Sequence, residues 1–123
     1  MHITILSSEH LRLEGSEGPL TIDAASEDAS YSPYHMVAGG LGACTFLVLS
    51  SWAHHAKLDA STLAIDVAWS FADGEHRVSR WTITLHWPTL PEPRRAAALR
   101  VAGKCGIHET LMHPGEMELH ITE

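Results

Sequence analysis

Two cysteines, Cys44 and Cys105, are the residues of this 123-residue chain best suited to covalent chemistry. A thiolate attacks peroxides and disulfides and binds soft metals, so a pair of them allows a redox couple or a ligand set. The bland alternative is that each is a small buried hydrophobe. Cys105 is followed three residues later by His108, and with Cys44 and His35 they form a Cys2His2 set by residue type. The interval between its halves follows no zinc-finger pattern, so no metal site is expected. The ten histidines are scattered from His2 to His120, unlike a metal-binding tract. No HExxH, GxSxG or glycine-rich phosphate loop is present, which leaves no motif for zinc proteolysis, serine hydrolysis or nucleotide binding.

Composition narrows the setting of this chemistry. At 123 residues and 13.4 kDa the chain fits a single domain, 1–123. Hydrophobic residues make up 45%, which rules out disorder, and two cysteines are too few for a disulfide-stapled miniprotein. Charged residues make up only 19%, so some apolar surface is expected to be hidden at a subunit interface. The net charge of −7 argues against nucleic-acid and anionic-membrane partners, which need a basic patch. Protonating every histidine would reverse that sign, a matter of solubility more than function. The start, MHITILSSEHLRLEG, has no basic n-region, apolar core or cleavage site. A cytoplasmic location is therefore expected, where thiols stay reduced.

The elements that must position the cysteines can be read from periodicity. Residues 2–6, 10–14 and 19–24 read as short strands, with Gly15-Ser16-Glu17-Gly18 as a turn. A polar loop follows, and Ser32-Pro33 opens a helix as N-cap and first helical residue. Residues 36–53 carry no charge over 18 positions, long enough to touch the threshold for a membrane span. Gly39, Gly40 and Gly42, the serines 50 and 51 and the flanking strands favour instead a helix sheltered on all sides by its own sheet or a partner. The helix should stop near Lys57-Leu58-Asp59, with His54-His55 in its last turn.

Residues 62–71 and 76–87 alternate cleanly and predict a long hairpin around Asp73-Gly74. Leu63, Ile65, Val67 and Trp69 share one face, and Trp81, Ile83, Leu85 and Trp87 share one on the second strand. Residues 92–104 read as a helix with Ala98, Leu99 and Val101 available to pack, and Arg94-Arg95 as an exposed basic pair. Residues 105–112 read as a shorter helix, and 116–122 as a last strand. The order β-β-β-α-β-β-α-α-β is an α+β fold with mainly antiparallel strands.

Counting Pro33 as first, Cys44 is the twelfth helical residue, too deep for the helix dipole to lower its pKa. A reactive Cys44 needs a cation or hydrogen-bond donor from elsewhere. Cys105 falls after Lys104 at a helix junction, the better place for an accessible thiol.

Taken together, SPYHMVAGGLGACTF and AGKCGIHETLMHPGEMELHI resemble the two cysteine signatures of the OsmC/Ohr family, and the hairpin between them matches as well. The likeness covers essentially the whole chain and is nearer to the general OsmC-like members than to the dedicated organic hydroperoxide resistance enzymes. It implies an intertwined homodimer, with sheets from both chains wrapped around long buried central helices. It also implies a thiol peroxidase without metal or organic cofactor. Cys44 would attack a small organic hydroperoxide, Cys105 would resolve the sulfenic acid as a disulfide, and an external dithiol would reduce it. Met36, Phe46 and Trp52 would give the site its apolar lining. Members of the family hold the thiolate with an arginine from the N-terminal strands, itself held by a glutamate just after the helix-opening proline. Here Tyr34 and His35 follow Pro33, and Arg12 is the sole arginine before the helix. Arg12, Tyr34, His35 and His108 are thus the candidate supporting residues. A dimeric ligand-binding protein that keeps the fold without the chemistry is the alternative.

Overall fold

The computed structural model describes the backbone of residues 2–5, 10–15 and 18–23, and residues 33–122 in full. The chain divides into two units, Met1–Val37 and Ala38–Glu123. In the first, β1 (His2–Ile5), β2 (His10–Gly15) and β3 (Gly18–Asp23) form an antiparallel meander in the order β1-β2-β3. Ile3 pairs with Leu13, Leu11 with Ile22, and Gly15 with Gly18. All three strands lie where alternation places them. Ser32, the expected N-cap, lies outside the described residues.

Helix α1 (Pro33–Ala56) opens on its proline and runs for 24 residues, most of them in the second unit. It ends in a Schellman motif: the Leu58 N–H donates to the Ala53 carbonyl at 2.8 Å and the Lys57 N–H to that of His54 at 3.3 Å. Lys57 takes the left-handed conformation this requires, φ +57°, where a Cβ is crowded. Lys57→Gly is therefore expected to raise stability by about 1 kcal/mol in urea denaturation. The His55 ring, 2.9 Å from the Ser51 carbonyl, adds a side-chain partner to the last turn.

Strands β4 (Ala64–Phe71) and β5 (Val78–His86) pair antiparallel as the expected hairpin, with Trp69 opposite Trp81. The turn is wider than two residues. Ala72 N–H donates to the Arg77 carbonyl, Gly74 supplies a φ of +71°, and a register shift at Ser70/Phe71 puts Val78 on the inner face. Beyond that shift the alternation holds: Ile65, Val67, Trp69, Trp81, Ile83 and Leu85 are part-buried and their neighbours exposed.

That inner face packs on α1. Gly42 approaches β4 so closely that a Cβ there would lie 3.4 Å from Val67 Cγ2. The core is Leu49 and Ala53 from α1, Leu63 and Trp87 from the hairpin, and Ala98 from the next helix, with Trp52 set edge-on to Trp87 at 6.2 Å. The Trp87 indole N–H donates to the Asp59 carbonyl at 2.8 Å, so its burial strands no polar group. Leu49 has no exposed surface; Leu49→Ala should cost about 3 kcal/mol, read from the shift in denaturation midpoint.

After a single 3-10 turn at Glu92–Arg94, α2 (Arg95–Ala102) turns Ala98 inward and holds Arg95 to Glu92 at 2.7 Å. Leu99, expected to pack, is instead 67% exposed, because the helix phase that buries Ala98 turns its neighbour outward. Helix α3 (Gly106–Met112) follows.

One further expectation needs correction. Residues 116–122 form no strand: Met117, Leu119 and Ile121 keep the alternating pattern but are 87%, 90% and 98% exposed. A strand needs an edge to bond to, and this segment pairs with none among the described residues. Helix α1 is sheltered by its own chain along one side only. Ala38, Leu41, Thr45, Leu49 and Ala53 are buried, whereas Gly39, Gly40, Ala43, Phe46 and Leu47 are open. Although α1 is long and apolar enough to cross a membrane, its buried stripe packs on the hairpin as a core helix does.

Candidate active site

Cys44 stands on α1 beside the buried stripe and is half-buried. The stripe fixes that rotation: Leu41 and Thr45 are turned inward, and the Thr45 hydroxyl is satisfied by the Leu41 carbonyl at 2.8 Å. Cys105 is placed by the break between α2 and α3. Helix α2 winds down through Gly103 N–H to Leu99 O and Lys104 N–H to Val101 O. Cys105 then turns extended, at φ −60° and ψ 132°, and caps α3 with its own sulfur, which accepts the His108 N–H at 3.4 Å.

The two thiols lie close enough to act on one another's ionisation. The Cys105 thiol donates a hydrogen bond to Cys44, and this is the largest influence holding the Cys44 thiol below its ordinary pKa. The Ile107 N–H acts in the same direction, burial opposes it more weakly, and the Gly106 N–H adds the smallest lowering effect. Cys105 moves the other way. Burial raises its pKa first and the Cys44 contact raises it further, while the His108 and Ile107 amides pull it back in part. Cys44 therefore loses its proton first, and Cys105 stays a thiol that donates to it. Among the described residues the groups acting on Cys44 are uncharged donors, and their effect on the thiolate is hydrogen bonding.

This assigns an expected pH dependence. Alkylation of Cys44 should titrate below the range of a free thiol, and Cys105→Ala, which removes the largest donor, should move the midpoint up and slow alkylation at neutral pH. A rate–pH profile with iodoacetamide, read by peptide mapping, measures both.

The accessibility expected of the two thiols is reversed. Cys105, at a helix junction, is fully buried, and Cys44, inside the apolar run, is the half-buried one. The other candidates are distributed as follows. His108 contributes its backbone N–H to Cys105 and lines a cavity of about 150 Å³ with Ile83, Leu85, Leu99, Ala102 and Gly103. Tyr34 and His35 occupy the first turn of α1. Arg12 lies in β2, its backbone paired with Thr4 and Thr21. Among the described residues, no three histidine, cysteine or acidic side chains are gathered in a way that could hold a metal ion. The amides of Gly106 and Ile107 are the partners that residue types cannot reveal. Their signal is the break at Lys104-Cys105, since the residues just inside a helix start have free N–H groups.

The chain matches the crystal structure of a "putative osmotic stress induced and detoxification response protein" from Psychrobacter arcticus 273-4. The TM-score is 0.72 over 92% of this chain and 87% of that one. The chain has the OsmC-like fold. No family model and no curated protein matches it. Identity to the structural neighbour is 18%, so the likeness is one of fold. In this OsmC-like chain the sequence signatures fall on the elements just described, one cysteine on α1 and the other at the cap of α3.

A second cavity, of about 390 Å³, opens between the end of β5 and α2. Leu85, Trp87, Leu90 and Leu99 supply its apolar wall, and His86 and Arg95 its polar edge. Both of those already have partners, His86 with Asp66 at 2.7 Å and Arg95 with Glu92 at 2.7 Å.

Proposed function

We propose that the protein is a thiol-dependent reductase of organic hydroperoxides, acting in stress defence. The supporting observation is the meeting of Cys44 with Cys105, with Cys44 the more readily ionised. The detoxification response named for the structural neighbour agrees with this role. The Cys44 thiolate attacks the terminal oxygen of the hydroperoxide, the O–O bond breaks, and the alkoxide leaves as alcohol after taking a proton. Cys44 is now a sulfenic acid. The Cys105 sulfur attacks it, water leaves, and a disulfide joins the two. A dithiol from outside returns both to thiols and is itself oxidised to a disulfide. The reducing cytoplasm is the setting in which such a couple rests reduced.

The active assembly in this proposal is a homodimer. Phe46 and Leu47 are 39% and 66% exposed on α1, and a Cβ at Gly39 or Gly40 meets nothing within 4 Å, so a second helix has room to approach. The unpaired alternating segment 116–122 is a strand awaiting an edge, which sheets shared between two chains would supply.

Turnover of an organic hydroperoxide with excess dithiol tests the reading. Wild-type protein should consume it catalytically. With no dithiol added, Cys105→Ser should consume one equivalent and hold a sulfenic acid on Cys44, detectable by dimedone. Ligand binding without chemistry is the second reading, favoured by the apolar cavity at β5 and α2. It predicts both thiols intact after exposure to peroxide.

A further inference from the structure

Resting on the redox reading above, we infer that the reducing thiol attacks the disulfide only at Cys44, from the position that the peroxide oxygen occupied, and that Cys105 is always the leaving sulfur. Thiol–disulfide exchange requires the attacking sulfur to approach in line with the S–S bond, from the side opposite the leaving sulfur, and its rate depends on access to that side. For attack at Cys105 that side is the protein interior. Cys105 has no exposed surface, lying in the turn between α2 and α3 with the His108 amide on its sulfur. For attack at Cys44 the approach is over the half-buried flank of α1 on which its sulfur lies.

The same line was used a step earlier. When Cys105 displaces water from the sulfenic acid, the departing oxygen lies opposite the Cys105 sulfur. Peroxide oxygen and reductant sulfur therefore occupy one position in turn. The step balances simply. A thiolate of the dithiol bonds to Cys44 Sγ, the Cys44–Cys105 bond breaks, and its electron pair leaves on Cys105, which is then protonated. The second thiol of the reductant attacks the reductant's own sulfur in the mixed disulfide, closing the oxidised dithiol and releasing Cys44 as thiolate. The amides of His108 and Ile107 offset only part of the cost of charge on the buried leaving sulfur, so access and not leaving-group acidity sets the direction of attack.

The experiment uses the full chain, oxidised to the intramolecular disulfide by diamide so that it does not depend on peroxide activity. Brief exposure to glutathione, acid quenching, alkylation of the freed thiol and peptide mapping show which sulfur was attacked. Glutathione on Cys44 with alkylated Cys105, in at least about tenfold excess over the reverse pattern, is the expected result. Glutathione on Cys105, or an even division, overturns the inference. Repeating the oxidation with an organic hydroperoxide separates the two claims: no disulfide in that arm counts against the reductase reading, whereas the mapping decides the direction of attack.

Discussion

Replacing Cys44 by serine is expected to abolish hydroperoxide consumption, with a loss of at least about a thousandfold. A serine hydroxyl is not ionised at neutral pH and is a poor nucleophile without an adjacent base, whereas a thiolate is strongly nucleophilic. The hydrogen bonds from Cys105, Ile107 and Gly106 favour the charged form of the group at this position, and serine has none to offer them. Stability should barely change, since the site is half-buried and the replacement is close to isosteric. Peroxide consumption by a ferrous-oxidation assay, with thermal melting as control, separates loss of chemistry from loss of fold. Cys44→Ser activity at the wild-type rate would transfer the nucleophile's role elsewhere.

The second large effect concerns assembly. Leu47→Glu is expected to keep the proposed homodimer from forming and to leave a folded monomer. Leu47 is 66% exposed in the isolated chain, so the substitution leaves that chain's own core intact. In a dimer joined through this face of α1, each copy would bury a carboxylate without a partner, at several kcal/mol each. At about 1.4 kcal/mol per tenfold, that is on the order of a thousandfold or more in the dissociation constant. Sedimentation at micromolar concentration measures it. An unchanged sedimentation coefficient in Leu47→Glu would exclude this face from the interface.

Much of the fold was legible because its signals are local. Pro33 fixes where α1 begins, the period-2 runs set the hairpin faces, and Asp73-Gly74 marks its turn. What could not be read depends on neighbours. Residues 116–122 carry a strand's alternation, yet a strand exists only where an edge accepts it, and no pattern within the segment states whether one is available. The exposure of α1 is of the same kind: an all-apolar sequence calls for shelter without saying how much one chain provides. Leu99 lies off the inner face of α2, which Ala98, Val101 and Ala102 set at helical spacing.

The site divides along the same line. Its two sulfurs were legible as residues, and the signatures around them are what first set them side by side as a candidate pair. Their relative burial was not, because it is decided by how α1 packs on the hairpin and where α2 ends. The amides of Gly106 and Ile107 carry no side-chain signature at all, and their role appears only once α3 has a start.

The most direct test of the sulfur couple is stoichiometric. Fully reduced protein, kept anaerobic and mixed with one equivalent of an organic hydroperoxide, should form the Cys44–Cys105 disulfide within seconds, releasing one equivalent of alcohol. Two free thiols by mass spectrometry after minutes, with the hydroperoxide unconsumed, would contradict it.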